Sequence, residues 1–296
     1  MVVFRSQFIK RSTMIFFKRE LSSEEFRKMQ LLELDMLVDF DRVCRKYDIK
    51  YTILAGTMLG AVRHKGFIPW DDDADIGMLR EEYEKFKTVM SELNPNICYF
   101  QDHTTDPGYR WGYGKLRRTG TEYVRVGQEH LKCKTGIFDD FFPLDDCPKS
   151  IIGQMVQDFY CFCCRKILWS EVGRVSCKGM KKIWFSLLSK IPTSIVFSLL
   201  SLYTKKSNNT NNSLVRTLCY TSIGKLYFKH PINQRYGLPK SWFLNCCEYD
   251  FENAKLMGSS NYDEVLSFWF GDYMKLPPEN QREQHSACSY INFGNH

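Results

Sequence analysis

The first long periodic pattern of the chain follows its opening residues. In SSEEFRKMQLLELDMLVDFDRVCRKY, apolar residues return every three or four positions from Phe26 to Tyr47, which is typical of one face of an amphipathic helix. Ser22 and Glu25 stand at the start of this run with the spacing of a capping box. The pattern predicts a long helix that packs its apolar face on a core.

A short apolar run and an acidic segment come next. Residues 51–55 (YTILA) are apolar, aromatic and β-branched, which predicts a strand, and the three glycines between residues 56 and 66 predict a turn. In DADIGM, charged and apolar residues alternate, so a strand here places Asp73 and Asp75 on one face.

The rest of the pattern divides into strands and then helices. Residues 80–93 predict a helix. Short strand patterns then occupy residues 98–101, 114–116, 122–126 and 136–142. Helical patterns predominate from residue 151 to residue 236, and the Asn- and Ser-rich residues 205–213 predict a loop. This order predicts an α+β fold, in which a mixed sheet is flanked by helices and followed by a mostly helical region.

Charge separates this helical region from the rest of the chain. The formal net charge is +7, yet residues 172–247 contain twelve Lys or Arg and no Asp or Glu. Within them, the apolar residues 191–203 fall short of the roughly 20 residues that a membrane-spanning helix needs. Two interpretations stay open: a buried helix with a solvated basic flank, or an interfacial element attracted to an anionic lipid or polymer.

Composition bears on the class of protein and its compartment. Because 44% of the residues are hydrophobic, the chain can bury a large core, which excludes a disordered protein. The twelve cysteines are scattered and indicate reduced thiols, and the opening apolar runs are too short for a signal peptide. We therefore expect a cytoplasmic protein.

The candidate chemistry lies in GFIPWDDDADIGM, where four aspartates occupy five positions inside an apolar stretch. Like charges at such density need a cation or solvent. Carboxylates at Asp73 and Asp75 suit Mg²⁺, or Mn²⁺, which prefers hard oxygen ligands together with substrate phosphates. A third acid is expected from GIFDDFFPLDD, at Asp139 or Asp140. The alternative is a solvated acidic turn.

These segments carry a resemblance to a known family. The matching stretches are YTILAGTMLGAVRHKGFIPWDDDADIGMLREEYEKF, KLRRTGTEYV, GIFDDFFPLDD and FGDYMKLPPENQREQH. They resemble the LicD family, which includes bacterial phosphocholine transferases and fukutin-related phosphosugar transferases. The likeness runs from about Leu31 to Pro148 and returns near Phe251 to His285. It implies a nucleotidyltransferase-like fold and the metal-dependent transfer of a phosphorylated alcohol, phosphocholine above all, from a CDP-activated donor such as CDP-choline.

The resemblance also implies a division of the chain and an acceptor. We expect four parts: a basic N-terminal segment (1–20), a nucleotidyltransferase-like catalytic core (21–150), a helical basic insertion (151–245) and a C-terminal part of the LicD-like domain (246–296). The expected acceptor is a sugar of a cell-surface glycan or glycolipid. No nucleic acid partner is expected, and the basic residues suggest peripheral contact with an anionic membrane at its inner face.

The family likeness assigns roles to the acids and to the glycine segment. Asp140 aligns with the usual acid of the family, so it is the expected third metal ligand with Asp73 and Asp75. The candidates for a general base are Asp71, Asp72 and Asp140. Gly56 and Thr57 resemble the Gly-Ser/Thr turn of nucleotidyltransferases, where backbone N–H groups approach a phosphate.

Basic side chains are the expected partners of the donor's pyrophosphate, because Arg and Lys neutralise phosphate charge. The candidates are Arg63, His64, Lys65, Lys115, Arg117 and Arg118. His285 in the C-terminal motif is a weaker candidate for a functional residue. Two other functions stay open at this point: a nucleotidyltransferase that transfers an NMP group to a small molecule, and a non-catalytic protein that binds polyanions or membrane surfaces.

Overall fold

The computed structural model describes residues 19–207, 212–218, 236–282 and 288–296. Its helices are α1 (Ser23–Lys46), α2 (Ala55–His64), α3 (Arg80–Val89), α4 (Ile151–Leu168), α5 (Ser170–Ser176), α6 (Gly179–Leu188), α7 (Thr193–Ser207), α8 (Ser241–Leu244) and α9 (Tyr262–Phe270). Its strands are β1 (Thr52–Ile53), β2 (Asp75–Leu79), β3 (Cys98–Gln101), β4 (Gly114–Arg118), β5 (Glu122–Arg125), β6 (Phe138–Asp146), β7 (Leu214–Arg216), β8 (Leu238–Pro239), β9 (Cys246–Phe251), β10 (Ala254–Ser259) and β11 (Cys288–Asn292).

A curled mixed sheet forms the centre of the fold. Its strands lie in the order β1-β2-β6-β4-β3, and β7 and β8 continue from the far end of β6. Strands β2 and β6 run parallel, and the other pairs of the sheet are antiparallel. Two ribbons, β9 with β10 and β5 with β11, complete the described strands. The predicted α+β class, with a mixed sheet flanked by helices, is confirmed.

Helix α1 confirms the first sequence pattern. The Ser22 hydroxyl accepts a hydrogen bond from the Glu25 N–H, and the Glu25 carboxylate accepts one from the Ser22 N–H, both at 3.1 Å. This is the predicted capping box. Inside the core, the Phe40 ring meets Phe141 of β6 edge-on at 4.6 Å between centroids. The long helix therefore covers the middle of the sheet, directly behind β6.

The glycine-rich segment after β1 was predicted as a turn, and this prediction was wrong. Residues 55–64 form helix α2. The glycines serve close packing instead: a Cβ on Gly60 would lie 2.4 Å from the Gly66 carbonyl oxygen. Since a side chain of any size is excluded there, Gly60 lets α2 lie against the chain that leads to the acidic segment.

The region after residue 150 is helical as predicted, through α4 to α7. Helix α7 extends to Ser207, so the predicted loop at residues 205–213 begins later than its composition suggested. Residues 208–211 and 219–235 lie outside the described residues. Within the described ranges, no single helix is long and apolar enough to cross a bilayer, whereas α6 and residues 193–205 satisfy that test together across a 77° bend.

Candidate active site

Strand register brings the predicted acids together. Asp75 opens β2 and pairs in parallel register with Asp140 on β6. The Asp140 N–H donates to the Ala74 carbonyl at 2.8 Å, which locks this register. Asp73 lies two residues before Asp75, just outside the strand. One carboxylate oxygen from each of Asp73, Asp75 and Asp140 lies within 4.8 Å of the other two.

Without a bound cation, ionisation of the carboxylates in this cluster is costly in free energy. Burial and the neighbouring carboxylates of Asp73 and Asp140 raise the pKa of Asp75 well above its usual range. Burial, Asp140 and Asp72 raise the pKa of Asp73 to about 6. A divalent cation would stabilise the ionised forms, and three converging carboxylates match the oxygen ligands of Mg²⁺ or Mn²⁺. The residues present therefore fit the metal that the sequence predicts.

A second acidic group adjoins the first. Carboxylate oxygens of Asp71, Asp72 and Asp73 also lie within 4.8 Å of one another, so Asp73 belongs to both groups. Burial, followed by the charges of Asp73 and Asp72, raises the pKa of Asp71 to about 8. The four aspartates of the sequence motif thus form one continuous acidic floor together with Asp140.

The start of α2 fixes two of these acids. The Thr57 hydroxyl accepts a hydrogen bond from the Asp75 N–H at 2.8 Å, and this hydroxyl is buried with its side chain. A Cβ on Gly56 would lie 2.4 Å from the Asp71 carboxylate, so any larger residue requires that group to shift. In this structure Gly56 and Thr57 position Asp71 and Asp75; contact with a phosphate stays a prediction.

Two cations lie against the acids. The Lys115 ammonium contacts the Asp140 carboxylate and lies 3.5 Å from the centroid of the Phe138 ring. Arg125 of β5 lies 3.4 Å from an Asp73 oxygen and 4.6 Å above the same ring. Arg125 was not among the residues predicted from the sequence. Its only signal was its place on the predicted strand at residues 122–126, in a run with no acid beyond Glu122.

A cleft of about 600 Å³ opens over Asp71, Asp73 and Asp75. Arg63 of α2 and the carboxylates of Asp71, Asp73 and Asp75 line one side. Residues of the C-terminal motif line the other side, namely Phe270, Asp272, Tyr273, Lys275, Leu276, Pro277, Pro278 and Gln281. Arg63 joins the two sides, because it donates to the Tyr273 carbonyl at 2.7 Å. The volume of this cleft is typical of a site for a small ligand.

The other basic residues predicted on α2 have local roles. The His64 ring meets Trp70 edge-on, with 6.2 Å between centroids. Lys65 ends α2 in the left-handed conformation (φ 58°), and its carbonyl accepts from the Glu252 N–H at 2.7 Å. Neither residue lines the cleft.

The arginines predicted on β4 are held elsewhere. Arg117 donates to the Gln101 side chain at 2.7 Å, and Arg118 donates to the Ile97 carbonyl at 3.1 Å and pairs with Asp35 at 3.4 Å. Successive residues of a strand face opposite sides, so Arg118 faces α1. Of the three basic residues predicted on β4, only Lys115 contacts an acid of the candidate metal centre, and none of the three lines the cleft.

Asp139 faces away from Asp140, into the core beneath α1. Burial and the Asp140 charge raise the pKa of Asp139 well above its usual range. Burial and the Asp139 charge likewise raise the pKa of Glu33 of α1 well above its usual range. Neither acid belongs to a cation-binding group in the described part of the chain. The sequence offered a signal for Glu33, since this acid interrupts the apolar face between Met29 and Leu37. His285 lies outside the described residues.

The chain is similar in sequence to known proteins. Residues 48–160 match the family model described as LicD/FKTN/FKRP, nucleotidyltransferase domain. The lipopolysaccharide cholinephosphotransferase LicD of Haemophilus influenzae is 28% identical over 285 residues, which cover 90% of this chain and 97% of that protein. An uncharacterised protein of Rickettsia prowazekii is 46% identical over 118 residues, covering 38% of this chain and 42% of that protein.

Residues 48–160, which match a nucleotidyltransferase domain, contain strands β2 and β6 of the mixed sheet and the candidate metal centre of Asp73, Asp75 and Asp140. More narrowly, these residues match the LicD family model, so the resemblance predicted from the sequence is confirmed. The segments that carried it, residues 51–86 and the C-terminal motif, meet at the cleft.

Proposed function

We propose that this protein is a Mg²⁺-dependent transferase that moves phosphocholine from CDP-choline to a sugar of a lipopolysaccharide-type glycan. The Haemophilus relative, a lipopolysaccharide cholinephosphotransferase that aligns over 90% of this chain, supports the transferred group and the acceptor. The convergence of Asp73, Asp75 and Asp140 beside a cleft carries the proposal, since phosphoryl transfer depends on positioning and charge stabilisation.

The proposed reaction is a single displacement. A sugar hydroxyl oxygen attacks the phosphorus atom that bears choline, and the bond from this phosphorus to the bridging oxygen breaks. CMP leaves with the electron pair, and the hydroxyl proton passes to a carboxylate. A divalent cation, when bound, neutralises the developing charge on the leaving phosphate.

The acids and Arg63 each have a proposed part in this step. Asp73, Asp75 and Asp140 hold the cation. Arg63 lines the cleft beside the acids, so its guanidinium can bind the donor's phosphates. Among the three candidate bases, Asp71 lines the cleft, whereas Asp72 and Asp140 do not, so we assign Asp71 to receive the proton.

The test is a product assay. Purified protein is incubated with lipopolysaccharide and choline-labelled CDP-choline, with Mg²⁺ or with a chelator, and CMP release and label transfer are measured together. CDP-ribitol, CDP-glycerol and CTP are run in parallel. We expect CMP release and label transfer from CDP-choline only when metal is present. The Asp73→Asn variant should give neither product. Asp250→Asn is the matched control, because Asp250 is exposed on β9. Pyrophosphate release from CTP would instead identify a transferase of NMP groups.

A further inference from the structure

The helical region exposes an unusual amount of apolar surface. Thirteen of the twenty-one large apolar side chains that are exposed in the described part of the chain lie between Ile151 and Leu202. Met180 is 86% exposed and Ile152 is 76% exposed. Clusters of this kind mark interaction sites, because isolated proteins seldom leave contiguous apolar surface in water.

The exposed residues form stripes at helical spacing. On α6 the stripe consists of Met180, Ile183, Trp184 and Leu187, three and four residues apart. On α4 it consists of Ile151, Ile152, Met155, Val156 and Phe159. Helix α4 contacts both α6 and α7. The stripes therefore belong to one packed group of helices, whose inner side is held by Cys164, Leu168, Val196 and Phe197.

The same helices present positive charge to solvent. The exposed lysines of the region are Lys178, Lys181, Lys182, Lys190 and Lys205. The acids of α4 and α5 are engaged, since Asp158 pairs with Arg216 at 3.1 Å and Glu171 pairs with Arg174 at 2.6 Å. An apolar stripe beside lysines and without opposing acid complements a surface that is anionic outside and apolar within.

We infer that the apolar stripes of α4 and α6 insert into the interface of an anionic lipid bilayer, with the neighbouring lysines at the headgroups. A neutral apolar protein surface would satisfy the apolar side chains but not this uncompensated charge. A bilayer satisfies both. The bent apolar pair of α6 and α7 also suits a shallow position, because neither helix is long enough to span.

The docked helices would also orient the candidate active site. Arg110 donates to the Leu168 carbonyl of α4 at 2.8 Å, so the segment before β4 is fixed to the helices. Trp111 and Tyr113 of this segment line a cavity of about 220 Å³ against α4 and α7, and they also line a smaller cavity that reaches Lys115 and Arg125. That docking would orient the active site toward an acceptor in the membrane rests on the proposed function, whereas docking itself does not.

The experiment measures cosedimentation of the full-length protein with vesicles. Vesicles of phosphatidylglycerol and phosphatidylcholine are compared with pure phosphatidylcholine, at low and high salt. The variant Met180→Ser/Ile183→Ser/Leu187→Ser removes three of the four apolar side chains of the α6 stripe, all at exposed positions. Leu31→Ser/Val38→Ser is the matched control, because both residues are 45% exposed on α1.

We expect the wild type to bind anionic vesicles and the α6 variant to lose at least about tenfold in partition coefficient, with the α1 control unchanged. Asp73→Asn should bind like the wild type, which separates docking from the proposed chemistry. Binding that survives the α6 substitutions but disappears in Lys178→Gln/Lys181→Gln/Lys182→Gln would overturn insertion in favour of surface adhesion. If the wild-type protein does not bind vesicles and forms an oligomer that the α6 substitutions dissociate, this face is a protein interface.

Discussion

Asp75 and Asp140 are register partners on the parallel strands β2 and β6, so their side chains leave the sheet at the same level and on the same face. Because neighbouring strands lie about 4.8 Å apart, this register alone brings two carboxylates to the spacing of a shared cation. Asp73, two residues earlier, adds the third. The candidate metal centre is thus a product of strand pairing.

The first prediction concerns Asp73 and Asp75. Asp73→Asn or Asp75→Asn should lower phosphocholine transfer by about 100-fold or more, because each change removes a charge that holds the cation. The metal-free protein should not lose stability, since each substitution relieves repulsion within the cluster. Transfer assays and thermal unfolding in a chelator check both parts. Near wild-type transfer by both variants would exclude these acids as metal ligands.

The second prediction is a pH dependence of stability without metal. The folded-state pKa values of Asp73 and Asp71 are raised to about 6 and about 8, above the ordinary value of 3.8. Between the ordinary pKa and the raised values, the folded state binds more protons than the unfolded state. The free energy of unfolding should therefore fall as pH rises from about 4 to about 8. Chelated protein should therefore unfold at lower temperature at the upper end of this window, and Mg²⁺ should reverse the loss there.

Asp71→Asn/Asp73→Asn is the control for this pH effect. Its unfolding temperature in chelator should vary less with pH than that of the wild type, because two of the titrating groups are gone. An equal slope in both proteins would assign the pH dependence to other residues.

The third prediction concerns the contact between Gly56 and Asp71. Gly56→Ala should destabilise the protein by about 1–3 kcal/mol, because the new methyl group overlaps the Asp71 carboxylate. In an Asp71→Ala background the same change should be neutral or stabilising, since alanine favours a helix by about 1 kcal/mol over glycine. Denaturant unfolding of the four proteins gives this coupling. Additive effects would mean that the two residues do not oppose each other.

The fourth prediction separates cleft arginines from structural ones. Arg63→Gln should raise KM for CDP-choline about tenfold or more, because a charge-assisted hydrogen bond contributes about 1.5–3 kcal/mol. Arg118→Gln should instead lower stability and leave KM unchanged, since Arg118 pairs with Asp35 and lies outside the cleft. Steady-state kinetics and thermal unfolding distinguish them. An increase in KM for Arg118→Gln alone would reverse these assignments.

Elements with a strong local signal were predictable from the sequence. Helix α1 has both a period and a capping box, and β3 was placed at its observed bounds, Cys98–Gln101. The glycine segment misled because Gly is ambiguous: it permits a turn, but at Gly60 it permits close packing of a helix. The glycine pattern alone does not distinguish these two uses. The close approach at Gly60 arises only when the chain after α2 folds back and brings the Gly66 carbonyl oxygen against it.

The acids of the candidate site were predictable, but the cations were not. Alternation along a strand placed Asp73 with Asp75, and alignment with the family favoured Asp140 over Asp139. Which arginine joins them depends on how β5 lies against β6 and on which side of β4 each residue faces. Such relations are tertiary, so Arg125 was missed, and the predicted Arg117 and Arg118 proved to be bound to Gln101 and Ile97.

Strand β11 pairs with β5, the strand that carries Arg125, across more than 160 residues of chain. Contacts of such long range form late, because the intervening chain must first be ordered. During synthesis, residue 292 must leave the ribosome before β5 acquires this partner, whereas α4 to α7 emerge much earlier. The nascent chain therefore presents its apolar helices before the strand that carries Arg125 is paired, so the proposed membrane docking can precede the proposed catalysis.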